Sequence, residues 1–236
     1  MAKLKGTFVK ATGIEAGALQ ALAARLKKIT FGINSQEQVL GIDLEEQRLS
    51  CEVATRRERE VPVFDADKGV LAMDKRNEYR SLFFTVDTRS GVVSTPGARR
   101  DLNLFAELLK RAGAGTIEFA DLSVDILAWA RALTQMYDTA QLAQLVVDKF
   151  YTEPKLIGRY AAKSVDNRLE LQALSDLPGH LKSLRLSFFH YDVRRTVEAR
   201  SDGVLAVTSS EDEDTEHFFQ EQVKLLLKHA SLPERS

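Results

Sequence analysis

The segment Thr85-Val86-Asp87-Thr88-Arg89-Ser90-Gly91-Val92 returns, in looser form, as Thr196-Val197-Glu198-Ala199-Arg200-Ser201-Asp202-Gly203-Val204. Each copy reads as a strand, a glycine turn and a returning strand. Each is followed by a stretch of helical periodicity, residues 98–112 and then 212–230. A hairpin that runs into an amphipathic helix must hide one of its faces under that helix. Two such pieces predict an α+β fold: two related β-hairpin-plus-helix halves forming antiparallel sheets, with helices packed on one side.

The other elements arrange themselves around this frame. Residues 3–10 alternate weakly and predict a strand. A helix follows, with Ile14, Ala18, Leu19, Leu22, Ala23 and Leu26 on one stripe. Residues 38–63 predict two strands. The second places Cys51, Val53, Thr55, Arg57 and Arg59 on one face and Glu52, Ala54, Arg56, Glu58 and Glu60 on the other. Thr95-Pro96 supplies a hydroxyl N-cap and a proline at the first helical position. The helix it opens carries Leu102, Phe105, Leu109 and Ala112 at helical spacing. Two further helices are expected at 123–136 and 139–150, and a long strand at 184–200. The expected organisation is an N-terminal α+β half over 1–113, a central helical segment over 114–155 and a C-terminal α+β half over 156–236, in one compact unit. A chain of 236 residues is long enough for a core without metal or disulfide staples.

Several chemistries find no support. No run approaches the roughly 18 consecutive apolar residues that cross a bilayer, and no signal core follows Lys3 and Lys5. The single Cys51 has no intramolecular disulfide partner, so a reducing cytosol is expected. His180, His190, His217 and His229 lack zinc-ligand spacing. There is no G-x-S-x-G elbow for a serine nucleophile and no G-x-x-x-x-G-K-[ST] loop for phosphates. Asp87 and Glu198, equivalent in the two copies, come nearest to a metal-dependent nuclease, but acids beside turns also serve structure. The acidic run 211–214 suits the positive end of a helix dipole. Trp129 and the Phe188-Phe189 pair offer rings for base stacking or for a core. The expectation is a non-enzyme with no catalytic residue, no metal and no cofactor.

The basic residues carry more. Arg56, Arg57 and Arg59 share one strand, Arg89 sits at a turn, and Arg99 and Arg100 open a helix. Lys163, Arg168, Arg194, Arg195 and Arg200 flank the later strands. A planar guanidinium presents paired donors that match phosphate oxygens, so these eleven are the candidate nucleic-acid-binding residues. The competing reading is a solvated surface in which Glu58, Glu60 and other acids pair with them. A formal net charge of −1 rules out a histone-like polycation and leaves room for a local basic surface.

The order of elements resembles the RdgC family of recombination-associated DNA-binding proteins. The resemblance rests first on the strand at 7–10, the helix at 14–28 and the Phe31-Gly32 exit. It continues through Arg56-Arg57-Glu58-Arg59-Glu60 before Pro62, and through Val86-Asp87-Thr88-Arg89-Ser90-Gly91-Val92-Val93 running into a helix that ends at Leu108-Leu109-Lys110. Trp129 in a helix, Arg159-Tyr160-Ala161-Ala162-Lys163 in a strand and a hairpin turning at Asp202-Gly203 complete it. Family members carry a long charged helical insertion that helps two subunits close a ring around duplex DNA. Here only residues 68–80 occupy that place. The resemblance implies non-catalytic, largely sequence-independent binding of double-stranded DNA by a bacterial homodimer, in the cytoplasm and on the nucleoid. Affinity would then fall steeply with salt. The reading kept beside it is a protein–protein interaction subunit of a bacterial DNA-handling or defence assembly, working through the acidic helix or an apolar patch.

Overall fold

In the computed structural model the described residues are 1–14, 16–32, 35–65, 69–113, 117–153, 156–163 and 180–231. In chain order they form β1 (Ala2–Thr12), α1 (Leu19–Leu26), β2 (Glu37–Leu44), β3 (Arg48–Asp65), β4 (Val70–Asp87), β5 (Val92–Thr95), α2 (Arg99–Arg111), β6 (Glu118–Asp121), β7 (Ser123–Val124), α3 (Ile126–Met136), β8 (Gln141–Glu153), β9 (Leu156–Lys163), β10 (His180–His190), β11 (Val193–Arg200), β12 (Val204–Ser209), α4 (Thr215–Lys228) and β13 (Ala230–Ser231). The fold is α+β, built on antiparallel sheet with helices laid against it.

Two compact units emerge: Ala11–Phe119, and Met1–Lys10 together with Ala120–Ser236. One holds the β4–β5 hairpin and α2, the other the β11–β12 hairpin and α4. The segments expected at 1–113, 114–155 and 156–236 do not coincide with this division. The first strand joins the C-terminal unit because β1 pairs with β12, from Ala2↔Ser209 to Thr7↔Val204. Periodicity along the chain carries no record of a pairing that distant.

In the unit Ala11–Phe119 the strand order is β2-β3-β4-β5. β3 and β4 pair along their whole length, from Arg48↔Asp87 to Asp65↔Val70. At the near end the period-two set Leu49, Cys51 and Val53 of β3 and Leu82, Phe84 and Val86 of β4 turns inward. There it meets the buried stripe Leu102, Phe105, Leu108 and Leu109 of α2, with Phe84 stacked on Phe105 at 4.4 Å between centroids. Removing that phenyl ring as Phe105→Ala should cost about 3–5 kcal/mol. The helix does not begin at Thr95-Pro96. The Thr95 hydroxyl instead accepts the Gly97 N–H (3.1 Å), and the Asp101 carboxylate accepts the Ala98 N–H (2.8 Å) to start the helix at Arg99. From Arg57 to Glu60, and from Met73 to Arg80 on the partner strand, every side chain is exposed. This distal ribbon rests on its hydrogen-bond ladder and cross-strand pairs, since a lone two-stranded ribbon buries little.

In the other unit the strand order is β1-β12-β11-β10-β8-β9. Leu184, Leu186 and Phe188 of β10, Val197 and Ala199 of β11, and Leu205 and Val207 of β12 are buried. α3 packs on β10 and α4 on β12, bringing Trp129, Ala130, Leu133, Phe218 and Leu226 into this core. The helix expected over 139–150 is instead strand β8. Its Ala, Gln and Leu residues favour helix locally, but Leu142, Leu145 and Val147 pair with β10 and are buried there, and tertiary packing overrides propensity. Gly203 closes the β11–β12 turn at φ 77°, where a Cβ would come within 2.6 Å of the Phe8 carbonyl oxygen. The β10–β11 turn takes two non-glycine residues into the left-handed region, Tyr191 at φ 50° and Asp192 at φ 62°. Such a pair suits a type I′ hairpin, where Asn-Gly is the usual choice.

Candidate nucleic-acid interface

Strand alternation that hides Leu184, Leu186 and Phe188 turns Arg185, Ser187 and Phe189 to the opposite face of β10. The same rule places Arg194, Thr196, Glu198 and Arg200 of β11 on that face, with Ala206 and Thr208 of β12 and Lys3 and Lys5 of β1. Register aligns them in rows. One row runs Lys5, Ala206, Glu198, Arg185 and Gln144; the next runs Lys3, Thr208, Thr196 and Ser187. The described helices of this unit pack on the other side, so among the described residues the face is open, and it forms a shallow hollow of about 480 Å³.

Charge on this face is unevenly matched. Arg185 binds the Glu198 carboxylate through Nε at 3.0 Å and more closely through Nη2. Arg200 grips Asp202 through Nε (3.1 Å) and Nη2 (2.6 Å), while Lys182 Nζ lies 3.6 Å from the same carboxylate. Lys3 and Lys5 are exposed and form no ion pair among the described residues. Of the four side-chain cations that line the hollow, Arg185 is matched by Glu198 and Arg200 by Asp202, which leaves Lys3 and Lys5 unmatched among the described residues. Lys5 and Arg185 stand three strands apart, roughly 14 Å at the spacing of hydrogen-bonded strands. That is close to the ~12 Å width of a B-DNA major groove.

The eleven residues singled out from sequence scatter. Arg200 alone lines the hollow, and Arg194 is exposed on the same face beyond it. Arg195 is a correction: it is 3% exposed, on the inner side of β11, its guanidinium 4.2 Å over the Phe218 ring. Burial behind α4 denies it any phosphate, and the ring face stands where a carboxylate would usually balance the charge. Arg56 is held by the Phe31 ring (5.5 Å) and the Gly32 carbonyl (3.3 Å). Arg59 pairs with Glu78 at 2.9 Å, whereas Arg57 is exposed on the ribbon. Arg89 and Arg100 are exposed in the unit Ala11–Phe119, and Arg99 is half-buried there. Lys163 pairs in register with Gln144, at the end of the first row. Its side chain, and the whole of Arg168, lie outside the described residues.

Lys3, Lys5 and Arg185 do not stand out in the sequence, though a signal for the last of them exists. In Leu184-Arg185-Leu186-Ser187-Phe188 the apolar positions alternate with polar ones, which marks the polar set as the outer face. What sequence withholds is that β1 lies beside β12 and so brings two lysines to the same surface.

The remaining candidates take structural roles. Asp87 accepts the N–H groups of Arg89 (2.9 Å) and Ser90 (3.3 Å) in its turn, and Glu198 is engaged by Arg185. Trp129 and Phe188 are core residues. Among the described residues no group of three His, Cys, Asp or Glu could hold a metal ion, and no helix is long and apolar enough to cross a membrane. Burial pushes the Cys51 thiol up to about 12, with Glu52 adding to the shift. Such a thiol is inert as a nucleophile. Behind the sheet, burial and then the Arg195 charge lower the His190 pKa, while burial and then Glu221 raise that of Tyr137. No family model and no curated protein matches this chain.

Proposed function

We propose that this chain binds double-stranded DNA, without catalysis and largely without regard to sequence, through the open face of the β1-β12-β11-β10 sheet. The observation that carries the reading is the pair of unmatched lysines beside Arg185 and Arg200, on a surface about as wide as a groove that none of the described helices covers. Lysine and arginine on a sheet face can meet phosphate oxygens along a duplex while reading no base edges. Thr196, Thr208 and Ser187 add hydroxyl donors in the second row. The resemblance to the RdgC family points to the same activity, and a homodimer would present two such faces to one duplex. Labelled duplexes of unrelated sequence, titrated at low and at physiological salt, test this. Affinities should be alike across sequences, weaken steeply with salt, and lie at about 10⁻⁴–10⁻⁶ M near physiological salt. Failure to bind any duplex at low salt would remove the reading.

A second reading has its own support. Phe64, Leu71 and Met73 at the end of the β3–β4 ribbon are exposed large apolar residues. Such a cluster suits an interaction subunit of a DNA-handling or defence assembly. Replacing these three by Ser separates the readings: duplex affinity should be unchanged under the first, while the second requires loss of partner association.

A further inference from the structure

Arg195 and Gln222 stand on the helix side of the sheet, away from the open face, and are 3% and 0% exposed. They come from different elements, β11 and the inner side of α4. Phe218 brings them together. It lies one helical turn before Gln222 on the same side of α4, and its ring carries the Arg195 guanidinium at 4.2 Å. Tyr137, at the end of α3, and His190, in β10, complete the cluster. Their rings are 5.3 Å apart, and that of His190 is 5.4 Å from Phe218. Burial raises the Tyr137 pKa, and Glu221, Gln222 and Arg195 act on the same hydroxyl.

The polar groups gathered here are not used up by one another. Among the described residues, Nε and Nη1 of Arg195 and both ends of the Gln222 amide have no hydrogen-bond partner, and neither has Nδ1 of His190. A ring face draws the guanidinium charge, but it does not replace the acceptors that the several N–H groups of the fork require. Leaving buried donors unpaired is costly, most of all on a charged group. Glu221, the acid next to Gln222, turns outward: it is exposed and lies 3.5 Å from His217.

Charge matching sets the class of ligand. Burial, and then the Arg195 charge, lower the His190 pKa, so the imidazole is neutral near pH 7 and Arg195 is the one cation of the cluster. One cation calls for one negative charge. Two oxygens on a single carbon can accept from Arg195 and from Gln222 together. Donors buried this deeply are out of reach of a side chain carried by a second protein, so the ligand is a small free acid. We propose that Arg195 and Gln222, beside Tyr137 and His190, form a site for one small monovalent carboxylate behind the β10–β11 hairpin. This site is separate from the open face and does not depend on duplex binding.

Acetate is the probe. Thermal unfolding is followed at neutral pH while sodium acetate replaces sodium chloride at constant ionic strength. A ligand that binds the folded chain alone, at ten times its dissociation constant, raises the folding equilibrium constant about elevenfold. The wild-type midpoint should therefore climb with acetate and level off. Arg195→Met keeps length and apolar contact and should abolish the rise. Arg194→Met removes a cation from the exposed side of the same strand and should keep it, which separates the site from general salt effects. Loss of a buried arginine can itself disturb folding, so Gln222→Leu supplies an independent measurement: its curve should shift to about tenfold higher acetate. A wild-type midpoint that is the same in acetate and in chloride overturns the site. So does a rise left unaltered by Arg195→Met or by Gln222→Leu, or one that Arg194→Met also removes.

Discussion

In the distal β3–β4 ribbon, Arg59 meets Glu78 at 2.9 Å, Lys75 meets Glu58 at 2.8 Å and Arg76 meets Asp74 at 3.2 Å. On the open face of the other unit, Lys3 and Lys5 meet no carboxylate among the described residues. Sequence makes the ribbon look the richer site, with Arg56, Arg57 and Arg59 within four positions. The fold reverses that ranking. In the ribbon, acids on the same or the facing strand engage Arg59, Lys75 and Arg76 and leave Arg57 exposed, whereas on the open face small and hydroxyl residues fill the positions beside Lys3 and Lys5. A phosphate responds to the charge left over after pairing, so the density of arginines is a poor guide and the pattern of partners a good one.

The largest expected effect concerns where the ribbon stops being packed. Cys51 lies at its buried near end, and a thiol held up at about 12 against an ordinary 9.0 has roughly a thousandfold less thiolate at mildly alkaline pH. Iodoacetamide should therefore label the folded chain about a thousandfold more slowly than the denatured chain. Labelling at nearly equal rates would mean that the near end is as open as the distal ribbon.

Next in size is a contrast between two ion pairs of the same hairpin. Asp101 is buried, holds Arg80 with both oxygens (3.1 and 3.0 Å) and accepts the Ala98 N–H that starts α2. Asp101→Asn should destabilise by about 2 kcal/mol, as expected when charged hydrogen bonds are lost at a buried site. Glu78→Gln, which breaks an exposed pair, should change stability by less than about 0.5 kcal/mol. Denaturant midpoints of equal size for the two variants would undo the claim that ribbon pairs neutralise charge without holding the fold.

The smallest effect lies behind the open face. His190 has its pKa lowered by burial and by Arg195, so the unfolded state binds a proton more readily than the folded state. Stability from this group is present above the unfolded value near 6.5 and is lost as pH falls from there through the lower folded value. His190→Gln should flatten the dependence of unfolding midpoint on pH in that window. An unchanged slope would assign it to other groups.

Much of the fold was legible. Both glycine-turn hairpins, the stripe of Leu102, Phe105 and Leu109 and the alternation of β3 could be read because each follows from local period and turn chemistry. β8 was misread because Ala, Gln and Leu prefer helix until a neighbouring strand supplies partners. The candidate face was legible only in part. Arg200 and Arg194 were found, but Arg195, its neighbour, falls on the opposite side of the strand. A shift of one position reverses the face in a strand, so a run of basic residues cannot all point one way. Lys3 and Lys5 became visible only through the pairing of β1 with β12.

The central claim, that unpaired charge on the open face and not the ribbon's arginines engages DNA, meets its most direct test in one titration series. Duplex affinity is measured across salt for the wild-type protein, for Lys3→Ala/Lys5→Ala and for Arg57→Ala/Arg59→Ala. The open-face variant should lose at least about tenfold in affinity for every sequence, and its slope of log affinity against log salt should flatten by about one unit for each phosphate contact removed. The ribbon variant should stay within about twofold of wild type, with its slope intact. A ribbon variant that loses affinity while the open-face variant keeps it would contradict the account.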